Sequence, residues 1–260
     1  MLAIRIGIPL LPLQLPLRKG LHIAAEMGVE AVEIDARNDT NFVDLSRTGV
    51  REVRKLLEDL NLRISCVRFR TRRGYDTLAD LERRIDATKR AMTLSYDLGC
   101  NVVTNYIGRI PTSNDHPAFS TLVDALSDLG RHGQRCGAML AAETAGDDAD
   151  SWKRLFAALP AGAILVDLNP ASIVLNSQSP REVTAAVAEY VGHVHASDAT
   201  RDVTAGRGIV TELGQGSAEF PELLGLLEEK QYKGYITVVH EATDYPREEI
   251  VQSVRYLRAL

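Results

Sequence analysis

The sequence contains few cysteines and no long apolar run, and both absences narrow the possible functions. Its three cysteines, Cys66, Cys100 and Cys136, are an odd number without CxxC spacing, which favours neither a disulfide framework nor a zinc knuckle. Each lies in or beside an apolar run, so we expect buried free thiols. No apolar run reaches the roughly 18 residues of a membrane span, and the first residues do not resemble a signal peptide. We therefore expect a cytoplasmic protein without a membrane partner.

The sequence also has no excess of positive charge and no boundary between domains. Thirty Lys and Arg against 35 Asp and Glu give a formal net charge of −5, so no global positive field draws the chain to nucleic acid. No Gly/Ser/Pro linker or low-complexity tract divides the 260 residues. A length of this kind suits either two ordinary domains or one large α/β barrel.

Eight apolar runs of strand length recur along the chain, separated by amphipathic stretches that predict helices. The runs are Ile4–Ile8, Ala31–Ile34, Leu62–Val67, Val102–Asn105, Met139–Ala142, Ala163–Val166, Val191–His195 and Tyr235–Val239. Their continuous apolar character is typical of parallel strands covered by helices. Because a βα unit needs roughly 30 residues, eight units use the whole chain. We predict the α/β class, with one (β/α)8 TIM barrel over residues 1–260. An open doubly wound sheet is the alternative, but Gly7–Pro12 is not a Gly-rich phosphate loop.

Metal-ligating residue types end the last four predicted strands. The active site of such a barrel lies at the carboxyl ends of its strands, where this chain places Glu143, Asp167, His195 and Glu241. Three carboxylates and one imidazole aimed at a common centre are unstable unless a divalent cation binds between them. The oxygen-rich set favours Mn²⁺, Mg²⁺ or Co²⁺, and His195 leaves Zn²⁺ open.

Several of these positions also have plainer interpretations. Glu143 and Glu241 could each form a salt bridge with a nearby arginine at the barrel mouth. Asp167 could cap a helix, and His193 competes with His195 because the two face the same side of one strand. We favour His195 as the ligand, since it lies nearer the end of the strand. His240 falls on the opposite face from its neighbour, where packing under a helix is the simpler explanation. Asp198 could either orient a metal-bound imidazole or cap a turn.

Several segments carry a resemblance to a known family. They are Ala141-Ala142-Glu143, Val166-Asp167, His195-Ala196-Ser197-Asp198, the stretch Leu213–Pro221 with its Gly214 and Gly216, and Glu241. On these residues the chain resembles the sugar phosphate isomerase/epimerase superfamily, the xylose-isomerase-like TIM barrels of the AP endonuclease 2 type. The resemblance implies one divalent metal ion, held by Glu143, Asp167, His195 and Glu241. It also implies a carbohydrate substrate and the option of a homo-oligomer.

The chain departs from that family at two positions. Pro170 stands where many members have His, and Ser197 stands where they often have Lys. The additional histidines of endonuclease IV are missing as well, so a DNA-repair site is not expected.

Arginines near the predicted strand ends suggest how a substrate is bound. The candidates are Arg68, Arg70, Arg109, Arg201 and Arg207, together with Tyr106, which could stack on a sugar ring. Guanidinium groups suit phosphate and carboxylate recognition, so a sugar phosphate or sugar acid is a plausible substrate. A neutral ketose is the alternative.

These features predict metal-assisted proton abstraction next to a carbonyl, through an enediolate. Glu143 and Glu241 would be the catalytic acid and base, and the carbon that regains the proton decides between epimerisation and isomerisation. The same first step could instead lead to loss of water from a cyclic polyol ketone, which would make the protein a dehydratase. A non-catalytic sugar-binding or regulatory barrel is the alternative from another class.

Overall fold

A computed structural model describes residues 3–37, 45–201, 208–239 and 246–260. Its strands are β1 (Arg5–Pro9), β2 (Ala31–Asp35), β3 (Arg63–Arg68), β4 (Val102–Asn105), β5 (Met139–Glu143), β6 (Leu165–Leu168), β7 (Val191–Ala196), β8 (Asp198–Thr200), β9 (Ile209–Thr211) and β10 (Tyr235–Val238). All except β8 and β9 form a closed parallel barrel in chain order. The barrel closes because β1 pairs with both β2 and β10. The predicted (β/α)8 barrel is confirmed, and the open sheet is excluded.

Helices connect the strands and cover the outside of the barrel. They are α1 (Leu17–Glu26), α2 (Arg47–Asp59), α3 (Leu81–Asp97), α4 (Pro117–Cys136), α5 (Ala149–Ala158), α6 (Pro170–Leu175), α7 (Pro180–Val187), α8 (Phe220–Glu229) and α9 (Pro246–Ala259). Local sequence sets several of their ends. The side chain of Ser46 accepts the backbone N–H of Gly49 at the start of α2, and Asp148 accepts that of Ser151 at the start of α5. Helix α4 ends at Gly137, whose φ of +91° suits glycine.

The interior of the barrel is partly polar. Apolar side chains such as Leu122, Leu126 and Trp152 fill the layer between helices and strands. Several buried polar side chains belong to the barrel strands instead: Glu33, Ser65, Asp167, His193, His195 and Thr237. Buried polar groups need hydrogen-bond partners, and here they find them across the barrel. This interior network positions the candidate site.

The structure differs from the sequence-based prediction in the segment around β6. The predicted strand Ala163–Val166 lies two residues too early, because the N–H of Ala163 bonds to Pro160 in a turn and β6 begins at Leu165. Helix α6 and the antiparallel hairpin β8–β9 were not predicted. Both are short, and both follow barrel strands at the carboxyl end.

Two further expectations concern the cysteines and the membrane. All three cysteines are free, with Cys66 and Cys100 buried and Cys136 half-buried. Among the described residues, no helix combines the length and the apolar character that crossing a bilayer requires. The extent of a single domain over residues 1–260 stays a prediction.

Candidate active site at the barrel mouth

Three of the four predicted metal ligands lie together at the carboxyl ends of adjacent strands. Glu143 ends β5, Asp167 lies in β6 and His195 lies in β7, and all three are buried. Glu143 pairs in register with Asp167, and Asp167 pairs with His193. The fourth predicted ligand, Glu241, lies outside the described residues, as do His240 and Arg207.

Asp167 is the common partner of both histidines of β7. His193 donates from Nδ1 to Asp167 Oδ1 at 2.8 Å, and His195 donates from Nδ1 to Oδ2 at 2.7 Å. Burial opposes the charged carboxylate, but the two imidazoles outweigh it and hold the pKa of Asp167 well below its usual range. Asp167 is therefore ionised and does not cap a helix; Asn169 is the N-cap of α6.

The structure adds one residue that the sequence did not predict for the site, Glu33, in the middle of β2. Its Oε2 atom accepts a hydrogen bond from His195 Nε2 at 2.5 Å, and its Oε1 atom lies 3.8 Å from Arg68 Nη1. Burial favours the protonated carboxyl, yet the charges of His195 and Arg68 prevail and lower the pKa of Glu33 to about 2. A usable signal was present, because a carboxylate inside an apolar strand is costly unless it is paired.

His195 is thus held between two carboxylates, whereas His193 is not. Burial disfavours the imidazolium form of His195, but Asp167 and Glu33 outweigh that penalty and raise its pKa to about 10. For His193, burial dominates and lowers the pKa. His193 Nε2 lies 2.8 Å from the Thr237 hydroxyl, at the base of the network. His193 therefore contributes to the interior and supports Asp167, while His195 lies nearer the mouth.

Glu143 has a different environment from the other two predicted ligands. Arg70 donates to both of its oxygens, at 3.3 and 3.5 Å, and Asn169 donates from Nδ2 to Oε1 at 3.1 Å. The Arg70 side chain is 56% exposed, so it reaches Glu143 from the solvent side. Asn169 in turn accepts the hydroxyl of Ser197 at 2.7 Å. The carboxylate of Glu143 is therefore oriented by Asn169 and covered by Arg70, which contacts both oxygens.

The other predicted substrate-binding residues spread over the loops of the same face. Arg109 donates to the carbonyl of Gly146 at 2.8 Å, and Arg201 donates to that of Gln178 at 2.7 Å. Tyr106 is half-buried after β4, and burial raises its pKa. Arg68 and Arg70 are the candidates that the structure brings next to the carboxylates, at Glu33 and Glu143.

Asp198 serves the loop that follows the hairpin and does not orient His195. Its carboxylate accepts four backbone N–H groups, from Ala199, Gly214, Gly216 and Ala218, at 2.9 to 3.1 Å. A Cβ atom at position 216 would lie 2.1 Å from Asp198 Oδ1, so this close approach requires glycine. Of the two alternatives from the sequence, the turn-capping role matches the structure.

The chemistry of the donor set, two carboxylates and one imidazole, suits a divalent cation, and His195 would lose its Nδ1 proton on joining it. Asp167 Oδ2 and His195 Nδ1 lie 2.7 Å apart, close to the roughly 3 Å between adjacent ligands of an octahedral ion with bonds of about 2.1 Å. Glu143, on the neighbouring strand, supplies a second carboxylate. Glu33 supplies the carboxylate that metal-bound histidines commonly have on their far nitrogen. Among the described residues, the group whose possible ligand atoms all lie within 4.8 Å of one another is Cys66, His193 and His195, in the buried interior.

Comparisons with known proteins agree with this architecture. The family model for the xylose isomerase-like TIM barrel matches residues 21–260. No curated protein matches the chain in sequence. Among solved structures, D-psicose 3-epimerase with D-tagatose from Clostridium cellulolyticum H10 superposes with a TM-score of 0.78 at 12% identity, covering 98% of this chain and 99% of that chain.

Two more neighbours widen the range of chemistry seen on this fold. The probable 3-DHS dehydratase involved in petrobactin synthesis from Bacillus anthracis has a TM-score of 0.79 at 13% identity, covering 98% of this chain and 99% of that chain. A xylose isomerase-like TIM barrel protein from Mycobacterium smegmatis, in complex with magnesium, has a TM-score of 0.75 at 19% identity. The match covers 92% of this chain and 86% of that chain. At these identities the likeness concerns the fold alone.

Proposed function

Because the chain belongs to the xylose isomerase-like TIM barrel family, we propose that it is a divalent-metal-dependent sugar isomerase or epimerase. In the proposed reaction a proton leaves the carbon next to a carbonyl, which gives an enediolate. The observation that carries this proposal is the buried cluster of Glu143, Asp167 and His195 at the ends of three adjacent strands. The cluster combines a carboxylate that is paired with the exposed Arg70 and a hydrogen-bonded carboxylate–imidazole pair.

The metal ion would be held by Glu143, Asp167, His195 and Glu241. When bound, a Mn²⁺, Mg²⁺, Co²⁺ or Zn²⁺ ion supplies Lewis-acid polarisation of the substrate carbonyl and hydroxyl. Glu33 fixes the ring of His195 by accepting its Nε2–H, and metal binding would displace the Nδ1 proton that His195 donates to Asp167. Asp167 is kept in place by His193.

Glu143 is the proposed base that removes the proton. Asn169 and Arg70 orient its carboxylate, and a substrate that drew Arg70 away would leave Oε2 free to accept the proton. Glu241 would return the proton, either to the same carbon from the opposite face or to the neighbouring carbon. The cationic side chains of Arg68 and Arg70 stabilise negative charge that develops on the substrate.

The proposed substrate is a small carbohydrate, and an anionic sugar is favoured over a neutral ketose. Arg70 combines exposure to solvent with contact to Glu143, so its guanidinium can bind a substrate carboxylate or phosphate beside the base. Tyr106, Arg109, Arg201 and Arg207 remain proposed contacts around the same mouth.

Two other functions use the same barrel. A dehydratase would share the first proton abstraction and differ in the fate of the enediolate, and one structural neighbour is a probable dehydratase. A non-catalytic binding barrel is the other alternative, because Pro170 and Ser197 replace polar residues of the family. In the structure Pro170 begins α6 and Ser197 donates to Asn169, the partner of Glu143. Both residues therefore fit an organised site.

Exchange of substrate hydrogen with deuterated water tests the proposal. The wild type with added Mn²⁺ or Mg²⁺ is incubated with a panel of ketoses, sugar phosphates and sugar acids, and carbon-bound deuterium is measured by mass spectrometry. Glu143→Gln should abolish exchange, while the exposed Glu52→Gln should leave it unchanged. Full exchange in Glu143→Gln overturns the assigned base. Product analysis on an exchanging substrate then separates isomerisation, epimerisation and dehydration.

A cytoplasmic location and a homo-oligomeric state complete the proposal. The three free thiols suit a reducing compartment, and the oligomer rests on the family resemblance.

A further inference from the structure

A second cleft, of about 390 Å³, lies beside the barrel mouth. It is formed by Arg37, which follows β2, by the loop after β3 and by the first turns of α3. Its charged lining consists of Arg37, Arg72, Arg73, Arg83, Arg84 and the single carboxylate Asp80. Five guanidinium groups around one small cavity stand out in a chain whose formal net charge is −5.

The positive charge of this cleft is not neutralised by the described part of the protein. Within it, Arg37, Arg72, Arg73 and Arg83 form no ion pair, whereas Arg68 and Arg70 each pair with a carboxylate. Like charges held together raise the energy of the fold, and a bound anion removes that cost. The N-terminus of α3, a helix of 17 residues, adds the positive end of its dipole to the same region.

The cleft is also held in a fixed shape. The guanidinium of Arg84 donates to the carbonyls of Thr77 and Ala79, which fastens the loop before α3. Arg37 lies over the ring of Phe69, with 4.6 Å between its Cζ atom and the ring centroid. In the loop after β3, the N–H of Thr71 is bound by the side chain of Asn105 at 3.1 Å. Arg37 and Arg84 are therefore already in place when a ligand arrives.

We propose that this cleft binds a phosphate-type anion. The guanidinium fork donates two parallel hydrogen bonds to a phosphate, and several forks around one cavity suit a dianion better than a carboxylate. The site is separate from the proposed catalytic residues but adjacent to them, because Arg70 contacts Glu143 while Arg72, two residues further on, lines the cleft. The phosphate group therefore belongs either to a substrate that reaches over from the mouth or to a separate phosphate compound.

Isothermal titration of the full chain with inorganic phosphate, at constant ionic strength set with chloride, tests the site. The probe variant is Arg72→Gln/Arg83→Gln, since both side chains are exposed and free of ion pairs in the described structure. The matched control is Arg18→Gln/Lys19→Gln, which removes two exposed basic side chains of α1, so that both variants lose two positive charges. We expect saturable binding of one phosphate per chain, weakened at least tenfold in the probe variant and unchanged in the control. Absence of saturable binding, or equal affinity in the probe variant, overturns the proposal.

A competition experiment assigns the source of the phosphate. Ketose monophosphates are titrated into Glu143→Gln with and without saturating inorganic phosphate. Competition supports a cleft that receives the phosphate of the substrate, whereas simultaneous binding supports a separate phosphate ligand. Because Glu143 does not line the cleft, phosphate binding by this variant is expected whether or not the proposed isomerase chemistry is correct.

Discussion

His195 and Glu33 are hydrogen bonded across the interior of the barrel, with 2.5 Å between His195 Nε2 and Glu33 Oε2. The two residues lie on β7 and β2, which are separated in the barrel by β10 and β1. The bond therefore ties opposite parts of the wall together just below the mouth. It also sets the orientation of the imidazole that the proposed metal site uses.

Replacing Glu33 by Gln tests this connection. The variant keeps the shape of the side chain but removes the charge that pairs with His195 and Arg68. Because the buried imidazolium of His195 would then lack one of its two carboxylate partners, we expect the free energy of unfolding to fall by about 2 to 4 kcal/mol. Metal affinity should fall about 10- to 100-fold, as for the loss of other carboxylates behind metal-bound histidines.

Denaturant titration and metal-binding calorimetry measure the two effects. Glu52→Gln, on the exposed surface of α2, is the matched control. Wild-type values for both quantities in Glu33→Gln would contradict the role of this residue.

Asp147 gives a prediction about the pH dependence of stability. Its buried carboxyl accepts the N–H of Ile110 at 2.9 Å, and burial raises its pKa to about 6, from the usual 3.8. The folded state thus favours the protonated form, and this contribution to stability is full below about pH 4 and lost as the pH rises through 6. At neutral pH the fold carries a penalty of up to about 3 kcal/mol, at 1.36 kcal/mol per pKa unit.

Asp147→Asn keeps an oxygen acceptor without the charge. We expect this variant to be about 1 to 3 kcal/mol more stable than the wild type at about pH 7.5, with the advantage falling to less than half at about pH 4.5. Urea unfolding at the two pH values provides the comparison. A stability difference that is constant with pH would show that the charge of Asp147 carries no such penalty.

Asp198 is predicted to hold the loop that leads into α8. In Asp198→Asn an amide group replaces one oxygen and meets backbone N–H groups that need an acceptor. We expect a loss of about 2 to 4 kcal/mol in unfolding free energy, because buried donors are left unsatisfied. Asp150→Asn, whose side chain is 85% exposed, should change stability by less than about 0.5 kcal/mol. Thermal or urea unfolding of the two variants measures this difference. Equal losses of unfolding free energy in Asp198→Asn and Asp150→Asn would refute the role of Asp198.

Metal binding should stabilise the folded chain. At a hundredfold excess over Kd, a ligand specific for the native state adds about 2.7 kcal/mol, or about 5 to 10 °C in Tm for a chain of this size. A chelator should reverse the shift. Glu143→Gln should reduce it, while Glu52→Gln should retain it. If none of Mn²⁺, Mg²⁺, Co²⁺ and Zn²⁺ changes the Tm, the metal is removed from the proposed mechanism.

The sequence predicted the barrel because eight apolar runs, each followed by a helix pattern, leave few other folds for a chain of this length. It also predicted that Glu143, Asp167 and His195 would meet, since the carboxyl ends of parallel strands share one face. It placed the strand before Asp167 two residues early because Ala163 and Ile164 are apolar but belong to a turn. Apolar periodicity does not separate a buried turn from a buried strand.

Contacts between residues far apart in the sequence could not be predicted from local sequence patterns. Glu33 was not predicted because it lies in the middle of a strand and its partner His195 lies 162 positions further along the chain. The role of Asp198 was open for a similar reason, since three of its four N–H donors come from 16 to 20 residues away. Such partners depend on how loops and strands pack, which local sequence does not encode.

The polar interior of the barrel also has a consequence for how this sequence can change during evolution. Thr237, His193, Asp167, His195 and Glu33 form one continuous chain of hydrogen bonds, so each residue is the partner of the next. Replacing one of these residues by an apolar one leaves the neighbouring polar group without its hydrogen-bond partner. Replacing both partners together does not. The effects of substitutions along this chain should be strongly non-additive in double-mutant cycles, and homologous sequences should show these positions varying together.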